Sequence, residues 1–556
     1  MKQEMRSLVA VGLSVAVFIV WHMFFAPKPA QKPEMAEGTK TAVVQQTESN
    51  PAEGVNTNIV TSNQQPATSN ITDPQINVPV KITVIENDIA KVELTNDGGV
   101  PVSWKIKKYL KGYGENEEYV DMIMGGESPL LVSDLNNSIS IPEKPRFEIV
   151  RADFNSVVYR WKSKKVEVTK EYSFDPESYL VDIDLIVKNV SADTVSPKIN
   201  IGWSAARVEE KKGGFLSFLR GPQNILSSVY YLNGKTDREK SFSGEGQIYW
   251  AGVEDRYFLS AIIPRGQGGP MTLNTSYTKD DKDKLSFSTN VALPATVLSP
   301  GREIVQKYTL YVGPKEIGSL KSVGVNLDKA INYGWFSVVA IPILHVLKFF
   351  YKLIHNYGIA IIFLTILAKL IMHPLSKKSM QSMKAMQKLQ PKIKELKEKY
   401  GNDKERLNME TMQLFKTHKV NPMGGCLPMI VQLPIYIALY KVLWNSIELY
   451  RAPFFWFYKD LSQPDPYYIM PVLLGATMWL QQRMMPSATA DASQAKMMQI
   501  MPVMFTAFML FLPSGLVFYI LINTLMSIIQ QWMTNNDVSF RDLLRGRFPK
   551  FGKAKA

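Results

Sequence analysis

The chain has 556 residues with 46% hydrophobic residues and a formal net charge of +14, enough length for several domains. A single cysteine, Cys426, excludes an intrachain disulfide and a four-cysteine metal site. The apolar residues concentrate in the C-terminal two-fifths, so the basic balance points first to membrane orientation, with nucleic acid, anionic lipid and ribosome open as partners.

Met1–Ser7 carries Lys2 and Arg6 and is followed by a mostly apolar run from Leu8 to Ala26, long enough to span a bilayer. No A-x-A cleavage site follows, so residues 1–26 read as an uncleaved transmembrane anchor rather than a signal peptide. Residues 27–75 are rich in Pro, Gln, Thr, Ser and Asn, a composition too polar to order itself, and read as a flexible tether.

Residues 76–330 read as an all-β domain. Period-2 alternation places Val181, Ile183, Leu185 and Val187 on one face and Asp182, Asp184 and Lys188 on the other. Lys165–Phe174 and Ile304–Gly313 alternate in the same way, and turn residues separate many such runs, as in an antiparallel sandwich. Lys211–Phe215 reads as a loop. Next, residues 341–356 set His345, Lys348, Lys352 and His355 on one helical face with apolar residues on the other. This is an amphipathic helix lying in the membrane interface or packed on the β domain.

Five more crossings are expected near 358–373, 426–444, 467–482, 497–512 and 515–532, giving six transmembrane helices with a five-helix core at 357–533. With the N-terminus cytoplasmic, segment 374–425 lies inside and holds twelve Lys or Arg against five acids. The tail 534–556 is basic and falls on the same side, as the positive-inside rule requires. Outside loop 445–466 carries Phe454, Phe455, Trp456, Phe457 and Tyr458, suited to an interfacial belt. Residues 376–419 form a charged helical hairpin, either a docking arm for an acidic or nucleic-acid-rich partner or a solvated hairpin that sets topology.

Catalytic constellations are nearly absent. None of the five histidines lies in the β domain, and no P-loop, HExxH or GxSxG with partners occurs, so no catalytic residue, metal or cofactor is assigned. The chain is not read as an enzyme, and nothing in it points to specific DNA. The membrane half instead scatters polar groups among its apolar runs: Thr365, Gln432, Gln482, Thr506, Asn523 and Ser527. Lys369 stands in the second crossing, where a charge costs roughly 2.5–3.5 kcal/mol on insertion scales. Thr365 and Lys369 are i and i+4, on one helix face. Lys369 either snorkels to the cytoplasmic interface or faces a wet cavity lined by the other polar groups. Eleven methionines from Met423 to Met509 suit either varied apolar partners or gap filling.

Lys419–Tyr440 (KVNPMGGCLPMIVQLPIYIALY), Asp465–Met478 and Phe511–Tyr519 closely resemble the YidC family of bacterial membrane protein insertases. The order of anchor, large domain, interfacial helix, helical core and hairpin agrees with that family over the whole chain. The resemblance implies insertion and folding of inner-membrane proteins, alone or beside the Sec translocon and its accessory Sec proteins. Nascent membrane proteins would be the substrates, and a ribosome would meet the hairpin and basic tail. It also implies a periplasmic β-supersandwich and a hydrophilic groove, open to cytoplasm and lipid, with a positive charge that attracts acidic substrate ends. Thr365 and Lys369 match the groove segment, Gln432 and Gln482 match groove-side glutamines, and Tyr519 lies where the last span carries aromatics. The family's groove cation is usually arginine, and here it is Lys369, which unlike arginine can release its proton when buried. Ile520 stands where an aromatic is frequent. The competing readings are a small-solute transporter using Lys369, against which no internal repeat is visible, and a scaffold whose β domain binds cell-wall sugar.

Overall fold

The computed structural model describes residues 78–538 except 112–116, 126–128, 209–225, 267–268, 281–282, 402, 422–426, 456–457, 485–491 and 537. The expected anchor, linker, loop Lys211–Phe215 and most of the basic tail lie outside the described residues, as do Cys426, Trp456 and Phe457.

Among the described residues, the β domain is built from antiparallel ladders in three sheets of four, five and nine strands. The strands alternate because one face of each packs inward. Val166–Phe174 and Leu180–Asn189 pair with Val168 opposite Val187 and Tyr172 opposite Ile183, so their inward residues form one layer. Val181, Ile183, Leu185 and Val187 are buried as the alternation predicts. Trp104, Trp161 and Trp203 fill the space between sheets.

That alternation also turns a cation inward. Lys170 shares the face of Val168 and Tyr172 and is fully buried. Its Nζ donates to the carbonyls of Gly98 at 2.9 Å, Gly99 at 3.2 Å and Leu130 at 2.8 Å. Burial pushes its pKa down to about 7. Three carbonyl acceptors offset part of the cost of a charge there. Gly98 and Gly99 both have positive φ, at 85° and 58°, which turns their carbonyls toward the amine at a bend that side chains rarely adopt.

Among the described residues, eight α-helices follow. α1 is Ile317–Val323, α2 Ser337–Ile354, α3 Tyr357–Tyr400, α4 Lys404–Thr417, α5 Leu427–Asn445, α6 Ile469–Met484, α7 Ala492–Met509 and α8 Ser514–Asn535. The helix expected at 341–356 starts earlier, at Ser337, and stops at Ile354 because His355 turns left-handed at φ 58°. Ala340, Leu344 and Leu347 are its buried stripe. On another side Lys348 bonds Glu448 at 2.9 Å and lies 3.6 Å from Glu316, so the helix is tied to the end of the β domain and to the loop after α5.

The largest departure from the sequence reading is α3. The second crossing and the first arm of the hairpin are one continuous helix of 44 residues that runs through Pro374 and Pro391. Asn356 caps it by accepting from the Ile359 amide at 3.1 Å. The second arm, α4, is capped by Asp403, and Met386, Leu389, Ile393 and Phe415 form the small core that holds the two arms together. Among the described residues, three helical stretches are long and apolar enough to cross a membrane: Gly334–Ile354, Tyr357–Tyr400 and Ser514–Asn535.

Candidate functional site

Three helices bring their polar residues to one seam. On α8, Tyr519, Asn523, Ser527 and Gln531 recur every four residues, a stripe about 18 Å long at 1.5 Å per residue. On α5, Gln432 and Tyr436 share a face, and on α3 Thr365 and Lys369 do so. Gln432 Nε2 donates to the Tyr519 hydroxyl at 3.1 Å, and Asn523 Nδ2 donates to the Tyr436 hydroxyl at 2.6 Å. The two tyrosine rings meet edge to face, 5.8 Å apart. Lower on α8, Lys369 Nζ donates to Ser527 Oγ at 2.6 Å, and the Ser527 hydroxyl in turn donates to the Asn523 carbonyl at 2.8 Å.

Lys369 is only 9% exposed, whereas its neighbours Leu370 and Ile371 are 64% and 70% exposed. The side chain therefore points into the bundle and away from the apolar outer face of α3. Among the described residues no carboxylate comes within ion-pair distance of it. Thr365 is fully buried and donates to the Ile361 carbonyl at 2.7 Å in its own helix.

The remaining expected residues fall elsewhere or have other duties. Thr506 donates to the Pro502 carbonyl and sits against Gly475, where α7 crosses α6. Gln482 is half-buried on α6. Tyr436 and Gln531 were not singled out in the sequence. The signal was present, since Tyr436 is four residues after Gln432 and Gln531 four after Ser527. Gln531 is 3% exposed and donates to the Met484 carbonyl at 2.8 Å, pinning the last turn of α6 to α8.

The N-terminal end of α8 is capped and buried. The first amides of α8 have no partner within the helix. Those of Ser514 and Gly515 donate to the Gln463 and Leu461 carbonyls at 2.7 and 2.9 Å, so the loop before α6 caps α8. Asp465 fixes that loop, accepting from the Tyr458 hydroxyl at 3.0 Å and from the amides of Tyr467 and Met470 at 2.9 and 2.7 Å. Ser514 through Leu521 are all buried, while α8 loosens toward its other end.

A family profile described as 60Kd inner membrane protein matches residues 349–541, and one described as YidC periplasmic domain matches residues 82–346. A protein of Syntrophus aciditrophicus named membrane protein insertase YidC is 37% identical over 555 residues, 96% of this chain and 99% of that one. The chain belongs to the YidC family. A Geobacter sulfurreducens protein of the same name is 36% identical over 548 residues, 96% of this chain and 99% of its own. A crystal structure of an active YidC insertase with its first transmembrane domain resolved aligns with 82% of this chain and 94% of its own, at 18% identity and a TM-score of 0.36. YidC proteins are inner-membrane proteins with a periplasmic domain, and they are insertases rather than enzymes. The β domain is accordingly the periplasmic domain, and the polar seam belongs to the inner-membrane part.

Proposed function

We propose that this YidC-family chain inserts and folds inner-membrane proteins through the seam between α3, α5 and α8. The observation that carries the reading is Lys369: a cation drawn into the bundle, bonded to Ser527, with no carboxylate partner among the described residues. Such a charge is costly, and its cost is offset when an anionic group comes to it. An acidic or polar end of a nascent membrane segment is that group. Gln432, Tyr436, Tyr519 and Asn523 supply donors and acceptors that stand in for water while the end crosses part of the bilayer.

The apolar part of the substrate moves along the outside. Leu370 and Ile371 on α3, Val472 and Leu473 on α6, and Val503 and Met504 on α7 are all exposed, apolar surface for it to move along. Burying the substrate's own helix in lipid drives the step, so no nucleotide is required. The capped outer end keeps the cavity from opening to the periplasm. The groove then faces the cytoplasm, where the basic hairpin and tail meet the ribosome, and the Sec translocon receives or delivers larger substrates. The bound Lys348 supports α2 as an interfacial helix at the periplasmic face, with six crossings and a cytoplasmic N-terminus.

Charge is the quantity to test. Lys369→Arg is expected to keep insertion of a short reporter with an acidic N-terminal end close to wild type. Lys369→Glu is expected to lower it at least about ten-fold, the consequence of replacing attraction by repulsion in a low-dielectric site. Equal insertion by both variants would remove electrostatic capture from the mechanism.

A further inference from the structure

A second cation is buried where the periplasmic domain meets the membrane helices. Arg256 occupies the turn between strands Ile248–Glu254 and Phe258–Arg265 and is 7% exposed. The turn is fixed by Asp255, which accepts from the amides of Tyr257 and Phe258 at 2.7 and 2.6 Å. The guanidinium lies 3.8 Å from the centre of the Trp444 ring and 4.7 Å from that of Tyr257. Its Nε donates to the Trp444 carbonyl at 2.7 Å and its Nη2 to the Ser462 carbonyl at 3.3 Å.

The two acceptors identify what is being held. Trp444 is in the last turn of α5, whose final carbonyls have no partner in the helix and form the negative end of its dipole. Ser462 lies between Leu461 and Gln463, whose carbonyls cap α8. One planar fork thus grips the end of α5 and the cap of α8, the two helices that contribute Gln432, Tyr436, Tyr519 and Asn523 to the seam. Neighbouring contacts reinforce the joint. The Tyr450 hydroxyl donates to the Leu110 carbonyl at 2.8 Å, and Arg451 pairs with Glu117.

We propose that Arg256 is a positioning residue for insertion, through which the periplasmic domain holds α5 and α8 at the spacing that the polar seam requires. This rests on the insertase reading of the seam. Loss of the fork frees the outer ends of both helices, and a polar seam held by bonds near 3 Å is sensitive to small shifts.

The test uses the full chain with Cys426→Ser and spin labels at Leu433→Cys on α5 and Leu525→Cys on α8, both exposed on the outer face. Arg256→Ala is expected to broaden and shift the distance between labels and to lower reporter insertion about ten-fold, the scale of losing charged hydrogen bonds, at an unchanged membrane level. Arg256→Lys, which keeps charge but not the fork, is expected to fall between, and it serves if Arg256→Ala does not accumulate. Trp444→Leu combined with Arg256→Ala is expected to add less than the sum of the single changes. An unchanged distance in both Arg256 variants, in a chain that inserts normally, overturns the proposal. A wild-type chain that fails to insert overturns the insertase reading instead, while the distance still reports whether Arg256 sets the helix spacing.

Discussion

Two buried lysines have different surroundings. Lys369 meets a hydroxyl and a polar seam, whereas Lys170 is enclosed by strands with three backbone carbonyls. The unfolded chain keeps the Lys170 proton to about pH 10.5, and the folded chain gives it up near 7. Between those values the unfolded state binds more protons, so stability rises with pH across that window and the penalty is felt in full below it. Thermal unfolding of the intact protein in detergent is expected to show a gain on the order of 1 kcal/mol per pH unit just above neutrality. Lys170→Met is expected to flatten that gain, and identical pH profiles for the two proteins would count against it. At this scale the seam was partly legible. Lys369, Gln432, Asn523 and Ser527 were visible as polar residues in apolar runs, and Tyr519 through the family resemblance; Lys369 bonds Ser527, Gln432 bonds Tyr519, and Asn523 bonds Tyr436. Lys170 and Arg256 were not visible: alternation turns Lys170 inward, but its carbonyl acceptors come from distant segments, and the turn carrying Arg256 meets its partners only in the tertiary structure.

Helices in the membrane half were legible from hydrophobic runs, and α5, α6, α7 and α8 lie within a few residues of the expected crossings. The boundary at Pro374 was not. Proline removes an amide and disfavours helix at the residue before it, which makes Pro374 a reasonable stop in sequence. Burial of Met372, Ser376 and Ser379 on one side of the helix carries it across instead. Contact between helices also explains a glycine. A methyl group on Gly475 would stand 2.3 Å from Thr506 Oγ1, so α6 and α7 approach closely there because that side chain is absent. Gly475→Ala is expected to lower stability by about 1–3 kcal/mol in detergent melts. Thr506→Ala in the same protein is expected to recover part of the loss, and an unchanged melting temperature in Gly475→Ala would show that the contact is slack. Thr506, read from sequence as a groove residue, has this packing contact as its visible environment.

Taken whole, the molecule joins an all-antiparallel β domain to a helical bundle through a polar joint rather than a bare linker. The proposed topology can be read by labelling. Phe154 is 72% exposed on the β domain and Met409 is 65% exposed on α4. Phe154→Cys is expected to react with an impermeant thiol reagent only from the periplasmic side, and Met409→Cys only from the cytoplasmic side, each with Cys426→Ser. Labelling of both positions from one side would refute the crossing order. The class of the chain was legible because length, charge asymmetry and apolar runs are global properties. The joint was not, because its partners are separated by almost two hundred residues and by a change of secondary structure.

The unbroken α3 has a mechanical consequence. Lys369 and the hairpin turn lie on one rod, about 46 Å apart at 1.5 Å per residue. The base of the rod is fastened, since Lys384 donates to the Thr534 carbonyl in the last turn of α8 at 3.1 Å. Beyond that fastening the two packed arms of the hairpin form a lever. A partner that pushes the tip sideways applies torque beside the cation, and the fastening to α8 serves as the pivot. In the proposed mechanism, docking at the tip and widening of the seam around Lys369 are one motion of a single body, with no signal passed from part to part.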